Sequence, residues 1–435
     1  MRTIIEPSII DGIMKELEIS DIKKASIRQV GAIVRAAEVA TGTEFIHFEM
    51  GVPGLPPSAV GVKAECEALQ RGVASVYPII DGIPEVKEQA SRFLKAFVDT
   101  DINPSGCIPT TGSMQASFAS MMLASQLDAK KDTILFIDPG FPVQKMQASV
   151  IGVKIASFDI ADYRGAKLEE KLESYFAQGN ICAVLYSSPN NPTWMCLNET
   201  ELEIIGRLAT KHDVIVIEDL AYMTMDFRRD MSKPFEPPYQ LSVSKYTDNY
   251  IMLMSASKIF SYAGQRIAMA CISDKLYERH YDSLKERYNI PRFGAAYAYV
   301  FLYTFSSGVS HSAQYAMAAM LKAACDGEYN FVGDIKEYAD RTKRLKEILE
   351  RTGFSVVYDK DDDKPVSDGF FFTMGYKDMD GAELLQELLY YGVSGIDLST
   401  TGGNRKGIRA CSSNIKPHHY AMLEERLALF NENHK

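Results

Sequence analysis

The chain has 435 residues, 46% of them hydrophobic, and its 47 basic and 57 acidic side chains leave a net charge of −10. That length exceeds what one core usually supports, so two domains are expected; the acidic balance excludes a general nucleic-acid surface and leaves small anionic ligands to local positive sites. The seven cysteines are scattered and lack a Cys-x-x-Cys pair, residues 1–6 show no basic region followed by an apolar run, and no apolar stretch is long enough to cross a bilayer, so a cytoplasmic protein without a membrane partner is expected.

Residues 1–50 read as an amphipathic helical segment, followed by glycines and prolines crowded into 51–57, and the segment is expected to pack with the carboxyl-terminal domain. The run T-T-G-S-M-Q at 110–115 precedes a helix, so Gly112, Ser113 and Met114 sit where free amides and a positive helix end can cradle an anion, although the same run also makes a plain N-cap. Apolar runs at 133–137, 153–158, 181–187, 214–218, 250–254 and 267–272 alternate with amphipathic stretches, which predicts an α/β fold with a mostly parallel sheet covered by helices on both faces. Beyond residue 310 the texture changes to a charged helix at 337–351, a strand at 370–374 and a helix at 381–391, a smaller α+β domain. The expected division is therefore 1–50, 51–310 and 311–435.

Reactive side chains follow several of the predicted strands, at the sheet edge where open α/β folds place ligands. Ser255, Ser257 and Lys258 come directly after the 250–254 run, with Arg266 close behind; a lysine there is placed to form an imine beside a bound phosphate. Asp219 and Tyr222 follow the 214–218 run, where the carboxylate can pair with a cationic ring nitrogen. Asn191, between prolines in P-N-N-P-T at 189–193, can face a ligand in a fixed orientation, and Phe141 can stack on a planar ring after the 133–137 run. Taken singly, Asp219 could be a helix cap, Asn191 a turn residue and Phe141 core. Histidines are dispersed, and the adjacent His418 and His419 are expected to point different ways, so no metal site is expected.

The set resembles the class I/II, fold type I aminotransferases that depend on pyridoxal phosphate. The resemblance implies that Lys258 holds the cofactor covalently, that Asp219 keeps its pyridine nitrogen protonated, and that Tyr222 and Asn191 hydrogen-bond its phenolic oxygen. It also implies phosphate contacts from Gly112, Ser113, Met114, Ser255, Ser257 and Arg266, ring stacking by Phe141, and a contact from Tyr77 to the phosphate held by the partner subunit of an obligate homodimer. Arg409, in K-G-I-R-A at 406–410, resembles the arginine that grips a substrate carboxylate, and Gly51 the glycine whose backbone borders the substrate.

Two positions depart from the family pattern. Trp194 stands where a glycine is usual, and Met114 lies near the point where some aspartate-using relatives have a lysine. Tyr262, Trp194 and Arg292 are candidate pocket residues. The expected activity is transfer of an amino group from an L-α-amino acid, with aspartate or an aromatic amino acid as candidates, to a 2-oxo acid such as 2-oxoglutarate, by a ping-pong mechanism. The alternative on the same fold is carbon–sulfur β-elimination or decarboxylation, since one electron sink stabilises several carbanions. A nicotinamide-dependent dehydrogenase is disfavoured because no Gly-x-Gly-x-x-Gly follows an early strand, and intact Lys258, Asp219 and Arg409 disfavour a decayed scaffold used only for binding.

Overall fold

The computed structural model describes residues 2–435. Among them seven strands form the main sheet: β1 (Cys107–Thr110), β2 (Thr133–Asp138), β3 (Lys154–Asp159), β4 (Ile181–Ser187), β5 (Ile215–Asp219), β6 (Tyr250–Ser255) and β7 (Ala268–Ile272). Their order is β1-β7-β6-β5-β4-β2-β3. Only β7 runs against its neighbours, antiparallel to both β1 and β6, while β6, β5, β4, β2 and β3 pair in parallel. The inner strands are continuous apolar runs because helices cover both faces; β3, at the edge, instead exposes Lys154 and Ile155.

Register brings the reactive positions to one edge of the sheet. Ala268 of β7 stands opposite Thr110 of β1 and also opposite Ser255 of β6, so the run 110–115 and the lysine segment leave the sheet side by side. Asp219 of β5 lies level with Ser187 of β4 and Leu253 of β6.

Helices start on strong local signals. Asn198 and Glu201 form a reciprocal capping box at the helix Glu199–Lys211, and Ser26 and Gln29 do the same at Ile27–Thr41. A second sheet has β8 (Ser355–Val356), β9 (Phe371–Gly375), β10 (Ile396–Asp397) and β11 (Ile408–Cys411), in the order β10-β11-β9-β8 and antiparallel throughout.

Of the three buried cores, two bear on the expected boundary at residue 310. The helix His311–Cys325 packs on Ala59–Gln70 and Pro84–Val98, and buries Met317 and Leu321 in the core beneath the main sheet. The other core joins Ile10, Val30, Ile33 and Phe48 to Leu345, Leu384 and Leu423. The helix His311–Cys325 is rich in alanine and methionine with Lys322 as its one charged side chain, whereas the charged helix Glu337–Arg351 buries Leu345, Ile348 and Leu349 in the other core. Among the described residues, no helix is long and apolar enough to cross a membrane.

Candidate active site

Lys258 lies in the single turn Ala256–Ile259 immediately after β6, and its amine donates to the Gly51 carbonyl. The amine also stands 4.9 Å from the centre of the Phe370 ring. Desolvation, reinforced by the charges of Arg409 and Arg266, lowers its pKa to about 8, which makes the neutral base available near physiological pH. Asp219 ends β5 with both carboxylate oxygens engaged: the Ala221 amide donates to Oδ1 (3.1 Å) and Gln144 Nε2 donates to Oδ2 (2.8 Å). Burial nevertheless raises its pKa to about 6, since two neutral donors do not replace full hydration. Tyr222 is buried beside it; desolvation and the Asp219 charge push the phenol well above its ordinary range, and the neighbouring Asn191 amide offsets a part of this.

The run at 110–115 turns into the helix Gly112–Ala124, with Gly112 at φ 71°. A Cβ at that position would come within 2.5 Å of Arg266 Nη2, so glycine is required both by the left-handed backbone and by the guanidinium laid across it. Arg266, itself at φ 52°, is tied to the Ala263 carbonyl through Nη1 (2.8 Å), and among the described residues it has no acidic partner. Ser255 caps the lysine turn by accepting from the Ser257 amide (3.2 Å). The helix start, a free guanidinium and two hydroxyls thus converge where a phosphate would be held.

Arg409 of β11 is fully buried, yet among the described residues no carboxylate pairs with it and its Nε has no partner. Its Nη2 donates to the Glu49 carbonyl, and the guanidinium lies 5.0 Å over the Phe371 ring. The Glu49 carboxylate is engaged elsewhere, accepting from Ser394 and bonded to His47 Nδ1. Removing one partner of a buried ion pair costs about 3–5 kcal/mol, so an unpaired buried guanidinium is expensive to maintain and calls for an anionic ligand. Phe370 and Phe371, with centroids 5.1 Å apart, connect Arg409 to Lys258 through one aromatic wall, and a Cβ on Gly51 would press on Phe371 at 3.0 Å.

Trp194 adopts the left-handed backbone, φ 65°, that a glycine would take, and is completely buried. That backbone costs roughly 1–2 kcal/mol, and an indole N–H without an acceptor about 1–3 kcal/mol; burying some 150–250 Å² of ring returns about 4–6 kcal/mol. Packing therefore outweighs strain.

Phe141 is half-buried, directly before the helix Pro142–Ile151 whose Gln144 bonds Asp219. Not all of the expected residues are so placed. Tyr77 is 88% exposed. Arg292 lies at the surface against Glu278 (3.3 Å), and Tyr262 is committed to Glu65 (2.6 Å), which Ser312 also bonds. Sequence reasoning missed Gln144 and Phe370, the available signal for Gln144 being a glutamine on the inner face of an amphipathic helix; the Gly51 backbone, which the sequence did single out, is the acceptor of the Lys258 amine. The expected divergence of His418 and His419 is also corrected, because both Nε2 atoms converge on Glu44, at 3.1 and 3.0 Å. The Lys416 amide donates to His419 Nδ1 (3.3 Å), which assigns the proton of the neutral ring to Nε2, facing the carboxylate. These bonds hold Glu44 at about 2, as an ion cluster tying the last helix to the amino-terminal segment.

The donor set fits pyridoxal phosphate: a buried lysine with its pKa lowered to about 8, a buried carboxylate, a glycine–arginine anion cradle and an unpaired buried arginine. Comparison with known proteins gives the same reading. The chain is 22% identical over 349 residues to a probable aspartate aminotransferase of Methanocaldococcus jannaschii, covering 76% of this chain and 87% of that one. It is 26% identical over 327 residues to an LL-diaminopimelate aminotransferase of Natranaerobius thermophilus, covering 74% and 76%. The fold superposes with a TM-score of 0.75 on the aspartate aminotransferase of Thermus thermophilus with maleate, at 20% identity over 94% of this chain and 97% of that one. The model of aminotransferase class I and II matches residues 43–414, and the chain belongs to that family of pyridoxal-phosphate-dependent transferases.

Proposed function

We propose that the protein transfers the amino group of an L-α-amino acid to a 2-oxo acid, 2-oxoglutarate among the candidates, by a ping-pong scheme. The observation that carries this reading is Arg409, a buried guanidinium without an anionic partner that shares an aromatic wall with the Lys258 amine. A planar bidentate donor suits the α-carboxylate common to both substrates. Aspartate and aromatic amino acids remain the candidate donors, and Phe370 and Phe371 support a side chain that tolerates an apolar wall.

Pyridoxal phosphate, when bound, supplies an electron sink for the pair freed at the substrate α-carbon and stores the amino group between half-reactions. Lys258 Nζ takes and returns the α-carbon proton, a role suited to an amine with a pKa of about 8. Asp219, oriented by Gln144, would hold the proton on the cofactor ring nitrogen, while Tyr222 and Asn191 would bond its phenolic oxygen and Phe141 would offer a stacking face. Gly112, Ser113, Met114, Ser255, Ser257 and Arg266 hold the phosphate, and the Gly51 backbone borders the substrate.

The exposure of Tyr77 supports a homodimer. Its phenol stands beside a cleft formed with Val76, Pro78, Ser307 and Ser310, and Val76 and Ile79 are more than half exposed. An apolar loop of this kind suits coverage by a second copy, which is compatible with Tyr77 reaching the phosphate held by the partner. The seven cysteines are all free thiols, which supports a cytoplasmic setting.

The test is an absorbance titration of the cofactor-loaded protein with single amino acids and no oxo acid. Loss of the lysine-linked absorbance with one oxo acid released per site is expected. Pyruvate and ammonia released catalytically from cysteine-type substrates, without amino transfer, would replace this reading with elimination.

A further inference from the structure

Trp194 is the only tryptophan of the chain. Its amide donates to the Asn190 carbonyl (3.0 Å), so its backbone closes the turn that presents Asn191. Asn190 is itself fixed, donating to the Pro139 carbonyl (2.7 Å) and accepting from Thr193 (2.8 Å). The indole stands edge-on to Tyr222, with centroids 5.4 Å apart and planes at 67°, and reaches Phe371 at 6.4 Å. On its other side it lies against Gly369, where any Cβ would overlap the ring. The Gly369 carbonyl is held by the hydroxyls of Thr342 (2.5 Å) and Ser412 (2.8 Å), so the backing of the indole is rigid.

We propose that Trp194 is a positioning residue that holds the Tyr222 phenol against the Asn191 side of the site and thereby sets the proton affinity of the lysine-linked cofactor. The proposal rests on the reading of Tyr222 as a donor to the phenolic oxygen. A hydrogen bond donated to that oxygen stabilises its anionic form and lowers the pH at which the linked pair loses its proton. The bond works only while the phenol stays in place. The Tyr222 ring is walled by Phe370 at 5.7 Å, Phe371 at 5.6 Å and Trp194 at 5.4 Å, and the indole is the nearest of the three. A tryptophan that merely filled space would leave this proton affinity unchanged when replaced by another apolar residue.

The experiment is a pH titration of the visible absorbance of the cofactor-loaded protein for Tyr222→Phe, Trp194→Leu, Trp194→Phe and the double variant Trp194→Leu/Tyr222→Phe. Tyr222→Phe should raise the apparent pKa by about one unit, a tenfold change in proton affinity. Trp194→Leu should raise it by roughly half as much, Trp194→Phe by less, and Trp194→Leu should add nothing once Tyr222 is phenylalanine. No shift in Tyr222→Phe would remove the reading of Tyr222, and this inference with it. A shift in Tyr222→Phe but none in Trp194→Leu, or equal Trp194→Leu shifts in both backgrounds, would overturn the positioning role alone. If Trp194→Leu does not fold, Gly369→Ala, which pushes the indole from its seat, should shift the same titration in the same direction, and an unmoved titration there overturns the role.

Discussion

Gln144 Nε2 donates to Asp219 Oδ2 at 2.8 Å, a contact that aims the carboxylate and leaves it with less hydration than an anion requires. The Asp219 pKa is raised from 3.8 to about 6 by burial. The folded state without cofactor therefore holds this proton more tightly than the unfolded chain does. The corresponding stability is fully present below pH 3.8 and is lost as pH rises through about 6, on the order of 3 kcal/mol across the interval. Asp219→Asn should raise the melting temperature of the cofactor-free protein at pH 8, where the native carboxylate is charged. The same variant, loaded with cofactor, should lose at least about 10²-fold in kcat. Calorimetry of the cofactor-free protein checks the first, and steady-state kinetics of the loaded protein the second.

Arg409 has the opposite problem, a charge that cannot be neutralised by titration near neutral pH. Arg409→Met should stabilise the substrate-free protein, since an uncompensated buried guanidinium is exchanged for an apolar chain of similar length. Arg409→Lys should lower kcat/KM about 10²-fold for amino and oxo acid alike, through loss of the bidentate fork, with the absorbance of bound cofactor unchanged. Steady-state kinetics on both half-reactions separates this from a cofactor defect.

Tyr77 is far more exposed than a tyrosine serving its own chain's site would be. Tyr77→Ala should change thermal stability by less than about 0.5 kcal/mol if its environment is solvent alone, yet weaken cofactor binding if the phenol serves a second copy. Lys258→Ala should be inactive. Mixing Lys258→Ala with Tyr77→Ala under subunit exchange should raise activity above that of either variant, because one site of a mixed dimer draws both native residues. Activity that stays at the sum of the two would show that the sites are not shared.

The parts of this site legible in the sequence are those carried by strand ends. Lys258, Asp219 and Asn191 each follow a long apolar run, and a buried strand delivers its next residue to the sheet edge. The helix Glu337–Arg351 was likewise readable to its limits, from charge on one face and leucine and isoleucine on the other. β1 escaped because it is four residues long and contains Pro109, which breaks the signal of an apolar run. The reversed direction of β7 was not legible at all, since periodicity reports burial and carries no sense of direction. Gln144 with Asp219, Phe370 with Lys258 and Trp194 with Gly369 are contacts between segments distant in sequence, fixed only once both cores have formed. His418 and His419 show the limit of a helical-wheel argument: rings long enough to converge on one carboxylate override the divergence of their Cα–Cβ bonds.

A chain with one tryptophan carries one indole, which red-edge ultraviolet light excites without its 23 tyrosines, and this one is buried between Tyr222 of the large unit and Gly369 and Phe371 at the start of a small-sheet strand. Its fluorescence therefore comes from a single place, within energy-transfer range of a cofactor on Lys258 and in contact with the strand that carries the aromatic wall. Emission should be quenched as the cofactor loads and should change again if the small unit shifts on substrate, so the two events can be timed in the unlabelled protein.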